Sequence, residues 1–483
     1  MSNRKSFFRI GIIYTIGQLM FKAISFIMIP IYTRELGIVG FGQLSLVDTV
    51  LNFLSTFLII SIFSGYIRFY RDYKEKDRKR LKNTAINFAI IISIFDLVFV
   101  FSFGRIIGPI LFNFNNSYEI LILIILRGIV EQFVTLLSCD YNLNYKAHII
   151  IIINFFMMVL NVLFIMYFLL FKCEGVLGIY KGYFFGTLIV VISLFFIQIK
   201  NYKFEFDKKM FKRMFKFSFG LMPCGISATI LDLADRYILA GYKGFAQTGI
   251  YSMGYKIGTL IDPVFISPFK SIFTTYKFEI WKDNDNNEKF NEMYKNYHII
   301  GNFIMLSIAF CSPILILILS DKTYLLAVNL IPIILFSYYI NGKNEFFSVG
   351  IQLKNKTYLT SIIMLAGGIS NIIINLILIP IFGMYGAAVS TLISYYIINF
   401  INMSFSNKLH GIRYDLKLGY KIDLISICVY ISFMIFSKDI NNILILICIS
   451  IIFLVIYIFI LILIKVLTID EIKIYIKNNL KFN

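Results

Sequence analysis

The chain has 483 residues, of which 59% are hydrophobic and only 15% are charged, and its mean hydropathy is +0.80. A soluble domain cannot bury so much apolar surface, so the composition excludes an ordinary soluble protein and predicts that the lipid bilayer is the main solvent. The net charge of +19 would suit a nucleic acid ligand. No predicted loop is long enough to fold into a basic domain, however, so we expect no nucleic acid partner.

Hydrophobic stretches follow one another along the chain, with short polar breaks between them. A helix needs about 20 mostly apolar residues to cross about 30 Å of hydrocarbon. We predict fourteen transmembrane helices, at residues 10–32, 43–67, 84–104, 119–139, 148–171, 178–198, 217–240, 247–274, 299–319, 325–350, 358–379, 384–405, 422–436 and 442–464. The first stretch has no small-residue cleavage site, which predicts a retained helix rather than a signal peptide. Strand-like alternation is absent, so the predicted fold class is an all-α polytopic membrane protein.

The basic residues are distributed unevenly between the two sides of this predicted membrane. Of the 46 lysines and arginines, 33 fall on one side, 6 on the other and 7 within the spans. The positive-inside rule makes the richer side cytoplasmic and predicts that both termini lie there. One rich loop, Lys200–Lys216, spaces Phe and Met between lysines. This pattern suits either an amphipathic helix on an anionic leaflet or a simple determinant of topology.

Two glycine motifs recur along the chain. Gly37–Gln43 resembles Gly241–Gln247 at an offset of 204, and Gly175–Gly178 resembles Gly383–Gly386 at an offset of 208. The recurrence either arises by chance among 29 glycines or indicates that spans 1–6 and 7–12 are duplicated units. Six spans is an even number, so the duplicated units would be parallel repeats, and transporters of that kind bind substrate between the repeats.

The repeat predicts a domain organisation of two parallel six-helix bundles plus two C-terminal helices. The predicted parts are an N-terminal bundle at residues 1–198, a cytoplasmic amphipathic linker at 199–216, a C-terminal bundle at 217–405, and helices 13 and 14 with a cytoplasmic tail at 406–483.

Charged residues within the predicted spans are the candidate functional residues. A charge at the bilayer centre costs about 2.5–3.5 kcal/mol on insertion scales, so such residues normally face protein or water. The candidate substrate-binding residues are the basic side chains Lys22, Arg127, Lys256 and Arg236. The candidate ion-coupling or ion-pairing residues are the acidic side chains Asp48, Glu131, Asp232 and Asp235. Lys343, by contrast, is predicted to lie at the membrane interface.

Spacing leaves two interpretations open for several of these residues. Lys22 either faces a functional cavity or forms a buried ion pair with Asp48 or another acid. Arg127 and Glu131 are four residues apart, a spacing that places them to pair on one helix face, and that pair is either structural or functional. Asp232 and Arg236 share the spacing, and here we favour a structural salt bridge.

The chemistry of this residue set favours transport over catalysis. Lysine and arginine are the usual protein partners of phosphate and pyrophosphate, so a cavity with several cations suits an anionic substrate. The chain has three histidines and no HExxH, P-loop or GxSxG motif, and its six cysteines lack CxxC spacing. We therefore predict no catalytic residue, no metal site and no cofactor.

Five segments resemble one family of transporters. They are Gly17–Lys22 with Pro30–Ser45, Asp235–Leu239 with Gly249–Ser252, and Leu378–Thr391. Together they resemble the polysaccharide and O-antigen exporters of the Wzx-type flippase family, within the multidrug/oligosaccharidyl-lipid/polysaccharide transporter superfamily. The resemblance covers the twelve-span core, with spans 13 and 14 appended as in many members.

The resemblance implies two six-helix bundles in a V shape that alternate between inward and outward openings. It implies movement of an undecaprenyl-pyrophosphate-linked oligosaccharide across the bacterial cytoplasmic membrane, for a capsule or O-antigen. The expected partners are this lipid-linked substrate, membrane lipids and other polysaccharide-assembly membrane proteins. A drug/cation antiporter of the same fold is the main alternative, and a membrane glycan polymerase is a weaker one.

Overall fold

The computed structural model describes residues 2–58, 62–144, 146–198, 202–281, 285–354, 356, 358–409, 412–438, 440 and 442–468. Side chains are described in these ranges from residue 26 onward, except at 55–58, 76, 147, 221–228, 231, 232 and 275. Helices make up nearly all of this part of the chain, which contains no β-strand. The prediction of an all-α membrane protein is confirmed.

Residues 1–250 and 251–483 form two compact units. The helices of the first unit are α1 (Ser2–Leu58), α2 (Ile62–Phe69), α3 (Glu75–Leu111), α4 (Ser117–Leu143), α5 (Ala147–Met166), α6 (Gly175–Gln198) and most of α7 (Lys208–Gly258). The helices of the second unit are α8 (Ser267–Ile280), α9 (Asn286–Leu319), α10 (Ile331–Gly342), α11 (Asn344–Phe347), α12 (Val349–Leu353), α13 (Tyr358–Phe382), α14 (Met384–Leu409), α15 (Leu416–Ser437) and α16 (Ile443–Leu463).

Ten helices in the described residues are long and apolar enough to cross a membrane, or eleven if the bent pair Lys322–Asn329 and Ile331–Leu353 counts as one span. The predicted spans at 10–32 and 217–240 include side chains outside the described set, so the count of fourteen stays a prediction. The final helix illustrates why these segments are helices in lipid. Ile443–Leu463 is apolar on every face, and only 17% of its most apolar window is buried in protein.

The C-terminal helices α15 and α16 pack against α9 through aromatic side chains. Phe310 on α9 lies with its ring centroid 4.1 Å from that of Phe433 on α15, and Phe453 on α16 lies 5.7 Å from Phe433. All three are buried in one apolar cluster. Helices 13 and 14 of the prediction are therefore part of the packed core of the second unit.

Glycines with positive φ mark equivalent breaks in the chain. Gly37 (φ 62°) interrupts α1 and Gly244 (φ 78°) interrupts α7, while Gly175 (φ 57°) is the first residue of α6 and Gly383 (φ 58°) directly precedes α14. These pairs are 207 and 208 residues apart, which supports the duplication. The offset of 204 for the first motif was wrong by three residues, because matching letters aligned Gly40 with Gly244, whereas the left-handed conformation that only glycine adopts without strain belongs to Gly37.

The same offset relates two close backbone contacts between α1 and α7. A methyl group on Gly42 would overlap the carbonyl oxygen of Phe245, and one on Gly249 would overlap the carbonyl oxygen of Ile38. Adding 207 to 38 and 42 gives 245 and 249, so the two contacts are equivalent in the repeat. Glycine is needed at both positions because the helix backbones touch there.

Part of the predicted amphipathic linker packs on protein, whereas Phe204 is 83% exposed and Phe206 is 43% exposed. Residues 202–207 are not helical, and α7 begins at Lys208. Met210 and Met214 are buried in an apolar cluster with Tyr66 and Leu81. This face of the segment therefore packs on the first unit rather than on a lipid leaflet.

Asp207 caps the start of α7. Its Oδ1 accepts hydrogen bonds from the backbone N–H groups of Lys209 (2.8 Å) and Met210 (3.0 Å), and its Oδ2 lies 3.4 Å from a guanidinium nitrogen of Arg80. The hydrogen bond from Met210, then that from Lys209 and the charge of Arg80, lower the pKa of Asp207, against the opposing effect of burial.

We expect Asp207→Ala to destabilise the protein by about 0.5–2 kcal/mol at neutral pH, the usual range for loss of an N-cap. Because the folded pKa is lowered, the stabilisation is complete above the unfolded pKa of about 3.9 and is lost as the pH falls through the lower folded value. The melting temperatures of the wild type and the variant should therefore differ at pH 7 and converge below pH 4. Asp207→Asn, which keeps a capping oxygen, is the control and should lose less stability at pH 7. A difference that does not shrink as the pH is lowered from 7 to 3 would contradict this role.

Candidate functional site

The structure allows most, but not all, of the candidate residues to be located. The side chains of Lys22 and Asp232 lie outside the described residues. Asp48 is on α1, Arg127 and Glu131 are on α4, and Asp235 and Arg236 are on α7, all in the first unit, whereas Lys256 on α7 falls in the second unit. Each unit is described separately below.

Three of the candidates meet in the interior of the first unit. The Nε of Arg127 donates to Oε1 of Glu131 at 2.8 Å, as their spacing predicts. The hydroxyl of Tyr180 on α6 donates to Oδ1 of Asp48 at 2.6 Å. The guanidinium carbon of Arg127 lies 3.9 Å from the ring centroid of Tyr183 and 5.6 Å from that of Tyr180. We call these five residues the Arg127 centre.

The geometry of the Arg127 centre leaves part of the guanidinium available. The side chain of Arg127 is 15% exposed, and its Nη1 has no hydrogen-bond partner among the residues described. Stacking on Tyr183 orients the guanidinium plane, and Glu131 holds one edge of it. A buried guanidinium with a free nitrogen is a preorganised donor for an anionic oxygen.

The two tyrosines of this centre were missed by sequence reasoning. Tyr180 and Tyr183 are three residues apart on α6, so they face the same side of that helix. With 31 tyrosines in the chain, that spacing alone did not distinguish them.

The candidates on α7 are arranged differently. Asp235 is fully buried, and its Oδ1 accepts a hydrogen bond from the backbone N–H of Arg236 at 2.7 Å. Arg236 and Lys256 are both half-buried. The expected Asp232–Arg236 salt bridge lies outside the described residues because of Asp232.

A second buried polar cluster lies in the second unit. Its centre is Asp423 on α15, whose Oδ2 accepts from Lys343 Nζ at 2.7 Å. The opposite oxygen, Oδ1, lies 2.8 Å from His298 Nδ1 and accepts hydrogen bonds from Asn302 Nδ2 (2.9 Å) and the Tyr339 hydroxyl (2.8 Å). We call these five residues the Asp423 cluster.

The Asp423 cluster corrects the interpretation of Lys343. We predicted this lysine at the membrane interface, but it is only 3% exposed, and Asp423 is 4% exposed. The cause is tertiary packing, because the two residues are 80 positions apart and meet only when α10 packs near α15. Asp423 fell at the edge of the predicted span at 422–436 and was not among the candidates, whereas the helix begins earlier, at Leu416, and places Asp423 well inside it.

Neither cluster is arranged as a metal site. Among the residues whose side chains are described, no group of three or more histidine, cysteine, aspartate or glutamate residues could hold a metal ion. The Asp423 carboxylate is instead surrounded by donors from α9, from α10 and from Lys343 directly after α10, an arrangement that joins these segments to α15. The Arg127 centre is the candidate ligand site, because it retains an uncommitted donor.

Comparison with known proteins agrees with this helical architecture. A family profile described as polysaccharide biosynthesis protein matches residues 8–273. An uncharacterized membrane protein of Methanocaldococcus jannaschii is 23% identical over 411 residues, which cover 83% of this chain and 75% of the relative. An uncharacterized membrane protein of Haemophilus influenzae is 23% identical over 273 residues, covering 55% of this chain and 64% of the relative.

Solved structures share the fold. The lipid II flippase MurJ in an inward closed conformation has a TM-score of 0.71 at 18% identity, covering 94% of this chain and 100% of that one. An inward-facing multidrug resistance MATE transporter of the MOP superfamily has a TM-score of 0.62 at 10% identity, covering 81% and 98%. The family profile matches more than half of the chain, so the protein belongs to the polysaccharide biosynthesis protein family and has the fold of MOP-superfamily membrane transporters.

Proposed function

We propose that the protein is a flippase that moves an undecaprenyl-pyrophosphate-linked oligosaccharide repeat unit from the inner to the outer leaflet by alternating access. The product would be a precursor of a cell-surface polysaccharide such as a capsule or O-antigen. The observation that carries this proposal is Arg127, whose guanidinium has one nitrogen without a hydrogen-bond partner among the described residues. The chain that contains it belongs to the polysaccharide biosynthesis protein family. A lipid II flippase has a similar fold over nearly the whole chain, which also supports it.

Arg127 is the residue on which the proposed substrate contact rests. Guanidinium groups bind phosphate through parallel N–H donors, and such charge-assisted bonds are stronger than neutral ones. Glu131 occupies Nε, so a diphosphate would meet the Nη side of the group. Lys22, Lys256 and Arg236 remain proposed substrate-binding residues.

The charge balance of the Arg127 centre is also compatible with an alternative function, a drug/cation antiporter. Its described members carry two carboxylates, Asp48 and Glu131, against one cation, and an excess of carboxylate favours a cationic ligand. A drug/cation antiporter would use such a centre. We favour the flippase because Arg127 lies directly against Glu131 and interacts electrostatically with Asp48, and because the chain belongs to the polysaccharide biosynthesis protein family.

The proposal includes the arrangement of the protein in its membrane. The two six-helix bundles at 1–198 and 217–405 would alternate their openings, with both termini in the cytoplasm of a bacterium. Other polysaccharide-assembly membrane proteins would supply the lipid-linked substrate and consume it. The chain would transport this substrate without making or breaking its bonds.

We expect Arg127→Ala to reduce transport by about 10- to 100-fold, the range that corresponds to loss of a hydrogen bond to a charged group. Arg127→Lys should restore only part of the activity, because an ammonium lacks the planar donor pair. The measurement is surface polysaccharide in a deletion strain complemented with each variant, with the accumulated lipid-linked intermediate quantified by mass spectrometry. Arg105→Gln, an exposed arginine that also lies over a tyrosine ring, is the matched control.

Three results bear on the choice between the flippase and the antiporter. Full export by Arg127→Ala at normal protein level would contradict a role for the guanidinium in transport. Loss of resistance to cationic drugs in Asp48→Asn, with polysaccharide export unchanged, would favour the antiporter. Accumulation of the lipid-linked intermediate in Arg127→Ala supports the flippase.

A further inference from the structure

A polar pocket lies where three candidate spans of the first unit end together. It has a volume of about 470 Å³ and lies at the start of α3 and at the C-terminal ends of α4 and α6. Its charged lining residues are Glu75, Arg78, Lys79, Lys82 and Asp140. Positive charge is in excess by one, and all of it comes from α3.

Arg78 is held in place with most of its donors unused. Its Nε donates to the backbone carbonyls of Tyr70 and Tyr73, both at 2.9 Å, and its guanidinium carbon lies 4.7 Å from the Tyr70 ring centroid. The Nη groups make no hydrogen bond or ion pair within the part of the chain that the structure describes. Lys79, which follows, is exposed. The two cations therefore form a preorganised anion site at the end of the spans.

Lys82 has a different role from Arg78 and Lys79. Its Nζ lies 2.5 Å from Oδ2 of Asp140 and 2.6 Å from Oε1 of Gln198. Asp140 also accepts from the Tyr66 hydroxyl at 2.5 Å. Because Lys82 and Asp140 neutralise each other, they form a fixed polar wall of the pocket and leave Arg78 and Lys79 for a ligand.

An apolar groove continues from this wall toward the middle of the membrane. It has a volume of about 510 Å³ and is lined mainly by aliphatic and phenyl side chains of α3, α4 and α6, including Ile86, Phe133 and Ile192. Ile192 and Phe196 are 46% and 68% exposed, so the groove opens on the outer surface of the unit. The groove and the polar pocket share Lys82, Asn83 and Gln198.

Asn83 lies at the junction of the two cavities. The residue is 3% exposed, lines both of them, and its amide makes no hydrogen bond with any described residue. The amide carries both a donor and an acceptor, so it can form a hydrogen bond with a ligand in either cavity. The combined cavity thus presents, in order, the basic side chains of the polar pocket, the amide of Asn83 and the apolar lining of the groove.

We propose that this combined cavity binds one anionic glycerophospholipid of the adjacent leaflet. The headgroup phosphate would contact Arg78 and Lys79, a glycerol ester would accept from Asn83, and an acyl chain would occupy the groove. A polyprenyl diphosphate has no carboxylic ester carbonyl between its phosphate and its hydrocarbon, so Asn83 favours the glycerolipid. This site is independent of the transport proposed above and of the Arg127 centre.

The test measures lipid binding to the purified full-length protein by native mass spectrometry in detergent. The probes are dioleoyl phosphatidylglycerol, dioleoyl phosphatidylcholine, undecaprenyl diphosphate and inorganic phosphate. We expect phosphatidylglycerol to bind about tenfold more tightly than phosphatidylcholine, which equals about 1.4 kcal/mol. The double variant Arg78→Gln/Lys79→Gln should abolish that preference, and Asn83→Leu should weaken phosphatidylglycerol binding without changing that of undecaprenyl diphosphate.

The control removes the same charge from exposed lysines outside the cavity. Lys208→Gln/Lys209→Gln should keep the preference for phosphatidylglycerol. Ile192→Trp, which fills the groove from its exposed side, tests the acyl-chain contact without altering charge and should weaken binding of both phospholipids. A preference that survives in Arg78→Gln/Lys79→Gln would overturn the proposal. Undecaprenyl diphosphate binding that depends on Arg78 and exceeds that of phosphatidylglycerol, or binding of inorganic phosphate alone, would also overturn it.

Discussion

Asp423→Asn is expected to destabilise the protein by about 3–5 kcal/mol, because removing one partner of a buried ion pair leaves an uncompensated charge. Lys343 and Asp423 have side chains that are 4% and 5% exposed, so water cannot replace the lost partner. His298 and Tyr339 would also lose a charged acceptor. The measurement is the thermal and denaturant stability of the purified protein, with folded yield from size-exclusion chromatography.

A double variant distinguishes the charge effect from general damage to the core. Lys343→Met/Asp423→Leu removes both charges with side chains of similar volume, and it should recover much of the stability lost in Asp423→Asn. Glu279→Gln, an exposed carboxylate of the same unit, should change stability by less than about 0.5 kcal/mol. If Asp423→Asn proves as stable as Glu279→Gln, the Asp423 cluster does not hold its helices together.

Gly42→Leu is expected to destabilise the protein by about 3 kcal/mol or more, at the upper end of the range for overpacking. Any Cβ at this position overlaps the backbone carbonyl of Phe245, and backbone cannot move aside as a flexible side chain can. Gly42→Ala should be destabilising too, although alanine is the better helix former by about 1 kcal/mol. A loss of stability in Gly42→Ala would therefore be evidence for the backbone contact between α1 and α7.

The matched control for Gly42 is Gly241→Ala, also in a helix. A Cβ on Gly241 meets nothing within 4 Å among the residues described, so alanine should be neutral or stabilising there. The measurement is the melting temperature of each alanine variant, and we expect a lower value for Gly42→Ala than for Gly241→Ala. Equal values would mean that α1 and α7 do not touch at Gly42. Equal values would also remove the support that this contact gives to the repeat offset of 207.

The glycine pattern predicted an internal repeat but not the register in which its two copies align. Recurring glycines predicted a duplication, and the paired positive-φ breaks support it, because such a break requires glycine in each copy. The register was wrong because Gly40 and Gly241 are also glycines, and residue letters do not reveal which of them adopts φ > 0. Backbone conformation identified Gly37 and Gly244 as the equivalent pair.

Local interactions were predictable from the sequence, and long-range ones were not. Hydropathy determined the fold class, since backbone groups in lipid must satisfy each other within helices. Helical periodicity placed Arg127 beside Glu131, because residues four apart share a face. Only the tertiary structure brought Tyr183 under Arg127 and Lys343 to Asp423. Those partners come from distant segments of the chain, and their pairing depends on packing that no single segment encodes.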